Sequence, residues 1–278
     1  MEYLMTYGWA ILIIAVVLGV LFQLGVFSGS ALTPKAQPGS CLVLRIAGQV
    51  SLEGECQGQL PQYVAYFNGQ TSYIGLPVAA QITGNQFTVV LWADVLGNGA
   101  NPPRGIMFSQ RDTYIDACVN TGSGAYFQIA NTLPSYPSIA SPPCAPVGTW
   151  EQYAGTYNGV AITFYINGVQ RGPTAYAAGN LESGSGYPLD IGSYFGESCC
   201  SINGEVADVQ LYNTSLSANE VKALYLEGIG GAPIKIQNLA GWWPLNGNAQ
   251  DYSGNNNNGQ IIGGVSFNGS WQSSYTAP

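Results

Sequence analysis

The stretch Trp150-Glu151-Gln152-Tyr153-Ala154-Gly155-Thr156-Tyr157-Asn158-Gly159-Val160-Ala161-Ile162-Thr163-Phe164-Tyr165-Ile166-Asn167-Gly168 decides the fold. Val160 to Ile166 is rich in β-branched and aromatic residues, the composition of a strand, and an Asn-Gly pair stands at each end of it. Asn167-Gly168 readily takes the positive φ angles of a tight type I′ turn, so a hairpin is expected there, and Asn158-Gly159 opens the same strand. Working outward, Gln86-Phe87-Thr88-Val89-Val90-Leu91-Trp92-Ala93 has the same character. Many short strands between Gly, Asn and Pro turns predict a mainly β head, a sandwich or barrel. One helix is expected in it. Ser217-Ala218-Asn219-Glu220 is a capping box, Val221, Leu224 and Tyr225 form one apolar face, and Gly228 ends the run.

Composition narrows the function. Of 278 residues only 8 % are charged, 7 Lys and Arg against 15 Asp and Glu, and there is no histidine. That charged share is about a third of the usual one. No basic cluster is available to neutralise a phosphate backbone, which excludes nucleic acid as a partner. Without histidine most hydrolase triads and zinc sites are excluded as well. Six cysteines, Cys41, Cys56, Cys118, Cys144, Cys199 and Cys200, stand at irregular spacings without a paired C-x-x-C knuckle, so an oxidised framework in an extracytoplasmic head is expected. Six cysteines allow 15 pairings. Proximity suggests Cys41 with Cys56 and Cys118 with Cys144, leaving Cys199 with Cys200; in the alternative, Cys199 and Cys200 take Cys118 and Cys144 as separate partners. Asn213-Thr214-Ser215 and Asn268-Gly269-Ser270 are N-glycosylation triplets, which makes Asn213 and Asn268 candidate sites.

From Tyr3 to Phe27 no residue is charged. At ~1.5 Å rise per residue the run reaches ~37 Å, enough to span a bilayer. It is too long for the apolar core of a secretory signal and no A-x-A site follows, so residues 1–28 are read as a retained helix. Residues 29–40, with Pro34 and Pro38 and no apolar period, read as a linker, and 41–278 as the head. The opening Met1-Glu2-Tyr3-Leu4-Met5-Thr6-Tyr7-Gly8-Trp9-Ala10-Ile11-Leu12 resembles the start of archaeal type IV pilins, where a glutamate stands just before a long apolar helix. The resemblance implies that the helix waits in the membrane and then packs into a filament core, with heads outside. A helix apolar all round must be surrounded by lipid or by copies of itself, which agrees. Glu2 would set subunit register against a neighbour's terminal amine, and Tyr3 and Trp9 join it as assembly candidates. The family's glutamate usually stands fifth in the mature chain, whereas here it is second.

The head resembles a second family. Trp150 to Gly159 followed by Thr163 to Gly168 is similar to the "W…AGTYNG…YVNG" hairpin of laminin G-like, concanavalin A-like jelly rolls. Asp190-Ile191-Gly192, Gly204-Glu205-Val206-Ala207-Asp208-Val209-Gln210-Leu211-Tyr212 and the capped helix continue that pattern in family order. Leu239-Ala240-Gly241-Trp242-Trp243-Pro244-Leu245-Asn246-Gly247, with Asp251 to Gly259, looks like the segment that normally opens such a domain, yet it closes this chain. Two arrangements account for this. Either the segment returns into its own sandwich, a circular permutation, or it fills the sandwich of a neighbouring subunit. The first is favoured, because Gly228 to Gln237 is enough chain to return across one domain.

The jelly-roll family includes lectins and glucanases, so carboxylate pairs need weighing. A retaining glycosidase requires two carboxylates ~5 Å apart. Glu53 and Glu55 sit in a Gly-rich loop, Asp112 and Asp116 are a further close pair, and Glu205 and Asp208, three apart, are expected on opposite strand faces. No enzyme activity is expected. Glycan binding is the better reading, since sugars dock on aromatic rings flanked by amides and the chain has 18 tyrosines and 6 tryptophans, although Trp92, Trp150, Trp242 and Trp243 read first as core residues. No cofactor is required; Asp251 with Asn255 to Asn258 is a weak calcium candidate, and a plain turn is the commoner use of such a run. Two functions stay open: the subunit of a pilus-like extracellular filament, a helical homopolymer with a lectin-like adhesive head, or a membrane-anchored monomeric surface lectin.

Overall fold

The computed structural model describes residues 60–97, 99, 105–117, 124–133, 136–181, 188–194 and 200–278, together with 13, 14, 16, 17, 45, 46, 49 and 50. The chain divides into two units, Met1–Gln37 and Pro38–Pro278. In the first, Ile13, Ile14, Val16 and Val17 are helical and exposed. The rest of the expected helix 1–28, including Glu2, Tyr3 and Trp9, and the linker 29–40 lie outside the described residues. Among the described residues no helix is long and apolar enough to cross a membrane.

The second unit is a sandwich of two antiparallel sheets. Its strands in chain order are β1 (Arg45–Ile46), β2 (Gln49–Val50), β3 (Val64–Asn68), β4 (Tyr73–Leu76), β5 (Phe87–Gly97), β6 (Ile106–Gln110), β7 (Thr113–Asp116), β8 (Ala125–Gln128), β9 (Asn131–Leu133) and β10 (Ser138–Ser141). They continue with β11 (Trp150–Tyr157), β12 (Ala161–Ile166), β13 (Val169–Tyr176), β14 (Ala178–Leu181), β15 (Leu189–Ile191), β16 (Asn203–Tyr212), β17 (Leu239–Trp243), β18 (Gln260–Ile262) and β19 (Ser266–Asn268). The larger sheet runs β13-β12-β11-β5-β16-β3-β19, with β17 also paired to β16; the smaller runs β10-β8-β7-β6-β15-β4-β18. Two short pairs, β1 with β2 and β9 with β14, stand apart.

The hairpin expected at Asn167-Gly168 is present. Asn167 has φ 54 and Gly168 φ 67, and β12 pairs with β13 through that turn. At the other end the Asn158 side-chain oxygen accepts from the Val160 and Ala161 amides, which closes the β11–β12 turn. Alternation then sorts each strand between two faces. On the smaller sheet the register puts Ile139, Phe127, Ile115, Phe108, Ile191, Ile74 and Ile261 in one row across all seven strands. All but the edge residue Ile261 lie in the main core, against Val89, Leu91, Tyr153 and Phe164 of the larger sheet. Gly155 shows how closely the sheets approach: a Cβ there would come 2.5 Å from the Phe127 ring, so only glycine admits that ring.

The C-terminal segment enters this same sandwich. β17 pairs with β16, β18 with β4 and β19 with β3, so the last strands complete both sheets of their own head, the permuted arrangement. Trp243 is fully buried in the core, with its Nε1 donating to the Asn257 carbonyl at 2.9 Å. The helix α1 (Ala218–Glu227) carries the full capping box between Ser217 and Glu220 and ends at Gly228, φ 78. Its buried Val221 and Leu224 pack with Val90, Ala154, Tyr165 and Trp242 on the outer face of the larger sheet.

Candidate functional site

The two outer faces differ in what covers them. On the smaller sheet, the row adjacent to the core row reads Ser138, Gln128, Tyr114, Ser109, Asp190, Gly75 and Gln260, again across all seven strands. The turn after β15 lies over its middle, where Ser109 Oγ donates to the Ser193 carbonyl at 2.8 Å. Tyr114 stacks on Tyr126 with centroids 5.9 Å apart and meets Tyr194 edge-on at 5.8 Å. Beyond that cover a cleft of about 310 Å³ opens at the β4, β15 and β18 end. Asp190, Asn258 and Gln260 bring polar groups to it, and Tyr73, Leu76 and Ile262 apolar ones. Gly75 keeps its floor open: a Cβ there would stand 3.5 Å from Ile262, 3.6 Å from Tyr73 and 3.7 Å from Asp190 Oδ1.

The outer face of the larger sheet is closed by α1 and by the C-terminal segment. Trp92, Trp150, Ile229 and Trp271 form one apolar cluster there, joined by Tyr225 and Tyr275. Trp92 stacks on Tyr225 at 5.7 Å, and Trp150 meets Trp271 edge-on at 5.5 Å. Beneath them are three carboxylates. Asp94 and Glu205 are direct cross-strand partners of β5 and β16, and are 1 % and 3 % exposed. Burial pushes the Asp94 carboxyl above its ordinary value, opposed by the Ser274 hydroxyl and the Thr149 and Gly148 amides facing it. Burial likewise raises Glu205, opposed by Asn268 and reinforced by the Asp94 charge.

Asp208 corrects the expectation that it and Glu205 face opposite ways. The β5–β16 register shifts between Ala207 and Gln210 and Asp208 has φ 48, so the strand bulges there. The extra residue turns Asp208 to the outer side, where Trp242 Nε1 donates to it at 2.7 Å and Gln210 Nε2 at 2.9 Å. Tyr212 Oη in turn donates to Gln210 Oε1 at 2.7 Å. Burial raises the Asp208 carboxyl from 3.8 to about 7, against those hydrogen bonds.

Asp251, the weak calcium candidate, is engaged within its own turn. Its Oδ1 accepts from the Trp242 and Ser253 amides at 3.0 and 2.8 Å, and its Oδ2 from the Asn257 amide at 2.8 Å. The lone pairs a cation would need hold the turn together instead. Asn213 is exposed just after β16. Asn268 is half-buried and its Nδ2, the atom a glycan would be attached to, donates to Glu205 Oε1 at 2.5 Å. Cys144 is disulfide-bonded, while Cys41, Cys56, Cys118 and Cys199 lie outside the described residues. Cys200 is buried. Its backbone, at φ 65 with its carbonyl accepting from the Ile106 amide, turns it into an apolar group with Ile106 and Tyr114. Asp112 and Asp116 are taken up locally, Asp112 by the Tyr194 hydroxyl and Asp116 by the Gly105 amide. The sequence motifs contain Gln152 and Asp190 only as strand positions and do not contain Asp94, and the faces these residues share become visible only through strand register.

A profile of the concanavalin A-like lectin/glucanases superfamily matches residues 68–222, more than half of the chain, and the chain belongs to that superfamily. No curated protein matches it. Among solved structures it is similar to a Bacteroides ovatus ATCC 8483 protein described as carbohydrate-binding, at 14 % identity and TM-score 0.57, over 76 % of this chain and 60 % of that one. Domain 4 of an extracellular arabinanase from Geobacillus stearothermophilus, solved with arabinotriose, matches at 20 % identity and TM-score 0.47, over 58 % and 75 %. Mouse laminin α1 domains LG4-5 match at 14 % and 0.42, over 58 % and 45 %. The chain thus spans 60 % of the length of the Bacteroides protein, and the likeness to it concerns the fold.

Proposed function

We propose that the head binds uncharged glycans in the cleft at Tyr73, Gly75, Asp190, Asn258 and Gln260, without catalysis, and that residues 1–28 place it on a cell-surface filament of the type IV pilus kind. One observation carries the binding reading. Two amides, Asn258 and Gln260, stand on a cleft walled by Tyr73 and Ile262, with Asp190 buried at its floor, the pairing of directional hydrogen bonds with an apolar surface that a pyranose ring requires. The superfamily's lectins and the description of the Bacteroides neighbour support it. A net charge of −8 disfavours anionic sugars. The cross-strand carboxylates Asp94 and Glu205 are shut beneath the C-terminal segment rather than in the cleft, which disfavours glycosidase chemistry. Filament assembly rests on the charge-free run Tyr3 to Phe27 behind Glu2; the same run favours, as the second reading, a monomeric lectin held in the membrane. Asn213, exposed, is the preferred glycosylation site, and a disulfide framework links the head.

The test joins a glycan array with electron microscopy of shed surface material. The full chain should bind uncharged oligosaccharides, and Gly75→Val, which adds methyl groups at ordinary contact distance in an extended strand, should reduce binding at least about tenfold with stability retained. Unchanged binding in Gly75→Val removes the cleft as the site. Immunogold-labelled filaments are expected; labelling confined to membranes selects the anchored lectin.

A further inference from the structure

Between β17 and β18 the chain reads Asp251-Tyr252-Ser253-Gly254-Asn255-Asn256-Asn257-Asn258-Gly259, short polar residues of the kind that form surface turns. This turn is anchored from within. The Asp251 carboxylate gathers the Trp242, Ser253 and Asn257 amides. Asn257 is fixed twice more: its carbonyl accepts from Trp243 Nε1 at 2.9 Å, and its Nδ2 donates to the Ala240 carbonyl at 3.1 Å. On the other side the Gly259 amide donates to the Ala249 carbonyl at 2.7 Å. A Cβ at Gly259 would come 2.4 Å from Ile74, so only glycine lies that close to β4. Asn258, between these two fixed neighbours, is exposed and lines the glycan cleft.

The Asn258 side chain is oriented as well. The Asp251 backbone N–H donates to Asn258 Oδ1 at 3.0 Å. That bond tells the two ends of the amide apart: the oxygen faces the turn, and Nδ2 keeps two N–H donors for the cleft. Asp251 therefore acts on Asn258 by two routes, its carboxylate fixing the backbone one residue before and its amide fixing the side chain. Gln260, the other amide on the cleft, is exposed and has no such restraint among the described residues. The conformational entropy of Asn258 is lost on folding, so a ligand that accepts from Nδ2 does not lose it again on binding.

Resting on the glycan-binding reading above, we infer that Asp251 is the positioning residue of the cleft: it aims the Asn258 N–H donors at the ligand, and the cleft thereby selects neutral sugars that present an oxygen acceptor to them. Asp190 at the floor is of the opposite polarity, so the two ends of a sugar are not equivalent in the cleft. Gln260, free to rotate, accommodates either polarity and adds little to the choice.

The full chain, purified in detergent, is titrated by calorimetry with methyl glycosides of the neutral hexoses and pentoses, each beside analogues lacking one hydroxyl. One deoxy analogue should bind the native chain roughly tenfold more weakly than its parent, the loss of one directed hydrogen bond. Asn258→Ala should bring that parent and analogue to equal affinity. Asp251→Asn, which leaves one oxygen for three backbone amides, should narrow the same ratio and no other. The ratio compares two ligands on one protein, so a partly unfolded population cancels from it, whereas a merely structural Asp251 would lower the melting temperature and leave the ratio alone. Hydrogen exchange gives a readout that needs neither ligand nor an altered Asp251: in Asn258→Ala the Asp251 amide should exchange several-fold faster than in the native chain. Equal exchange overturns the inference, because the bond that orients Asn258 is then not kept in solution. Native binding with an unchanged ratio in Asp251→Asn or in Asn258→Ala overturns it alone and leaves the glycan reading standing. Failure of the native chain to bind any glycoside overturns both.

Discussion

The two outer faces of the sandwich begin from the same strand alternation and end differently. On the larger sheet, α1 and the segment from Trp271 onward shut Asp94, Glu205 and Asp208 away from water. On the smaller sheet, among the described residues, the turn after β15 covers the middle, and a cleft remains over Gly75 and Asp190. A polar residue on a sheet face is therefore not a site or a strut by its own nature. What lies over it decides which it becomes.

The contrast is sharpest between adjacent rows of the smaller sheet. Phe127→Ala removes a fully buried ring from the core row and should cost ~3–5 kcal/mol in denaturant unfolding. Gln128→Ala, its neighbour on the other face, loses two hydrogen bonds and should cost about 1 kcal/mol. Equal losses would break the distinction between the rows.

The covered face should also show in the pH dependence. With Asp208 at about 7 in the folded state and 3.8 when unfolded, the folded protein holds a proton between those values that the unfolded chain has released. Stability from this group is greatest below the unfolded value, declines as pH rises toward about 7, and is level above it. The decline is at most about 4 kcal/mol. Asp94 and Glu205, also raised, act in the same direction. Asp208→Asn should flatten the profile between those limits, leaving the share of the other two. A profile with the same slope in the variant would show that the bulge does not isolate Asp208 from water.

The smallest effect concerns the lid. Ser217→Ala removes the cap that accepts the Glu220 amide and should destabilise the head by about 1 kcal/mol in urea unfolding. Glycan binding across the molecule should be unaffected, and a change in it would link the two faces.

Much of the fold was legible because its signals are local. Asn167-Gly168 required a tight turn, Ser217 to Glu220 required a helix start, and both formed. The bland reading of Trp92, Trp150, Trp242 and Trp243 as core was also right, all four being 5 % exposed or less. The candidate site was not legible, for a physical reason. Asp190 meets Gly75, and Asp94 meets Glu205, only through the register of strands distant in sequence, which composition and spacing do not encode. Asp208 was misplaced because a bulge adds a residue that strict alternation omits. Asp251 left two readings open because an acid near asparagines looks the same whether it binds an ion or three backbone amides.

One consequence concerns the order of synthesis. β18 supplies an edge strand to the smaller sheet and β19 an edge strand to the larger, and both come later in sequence than the strands they join. Neither sheet can be finished until β18 and β19 have left the ribosome. A head truncated before them would expose an open strand edge on each layer and should be sticky and protease-sensitive rather than slightly shortened and functional.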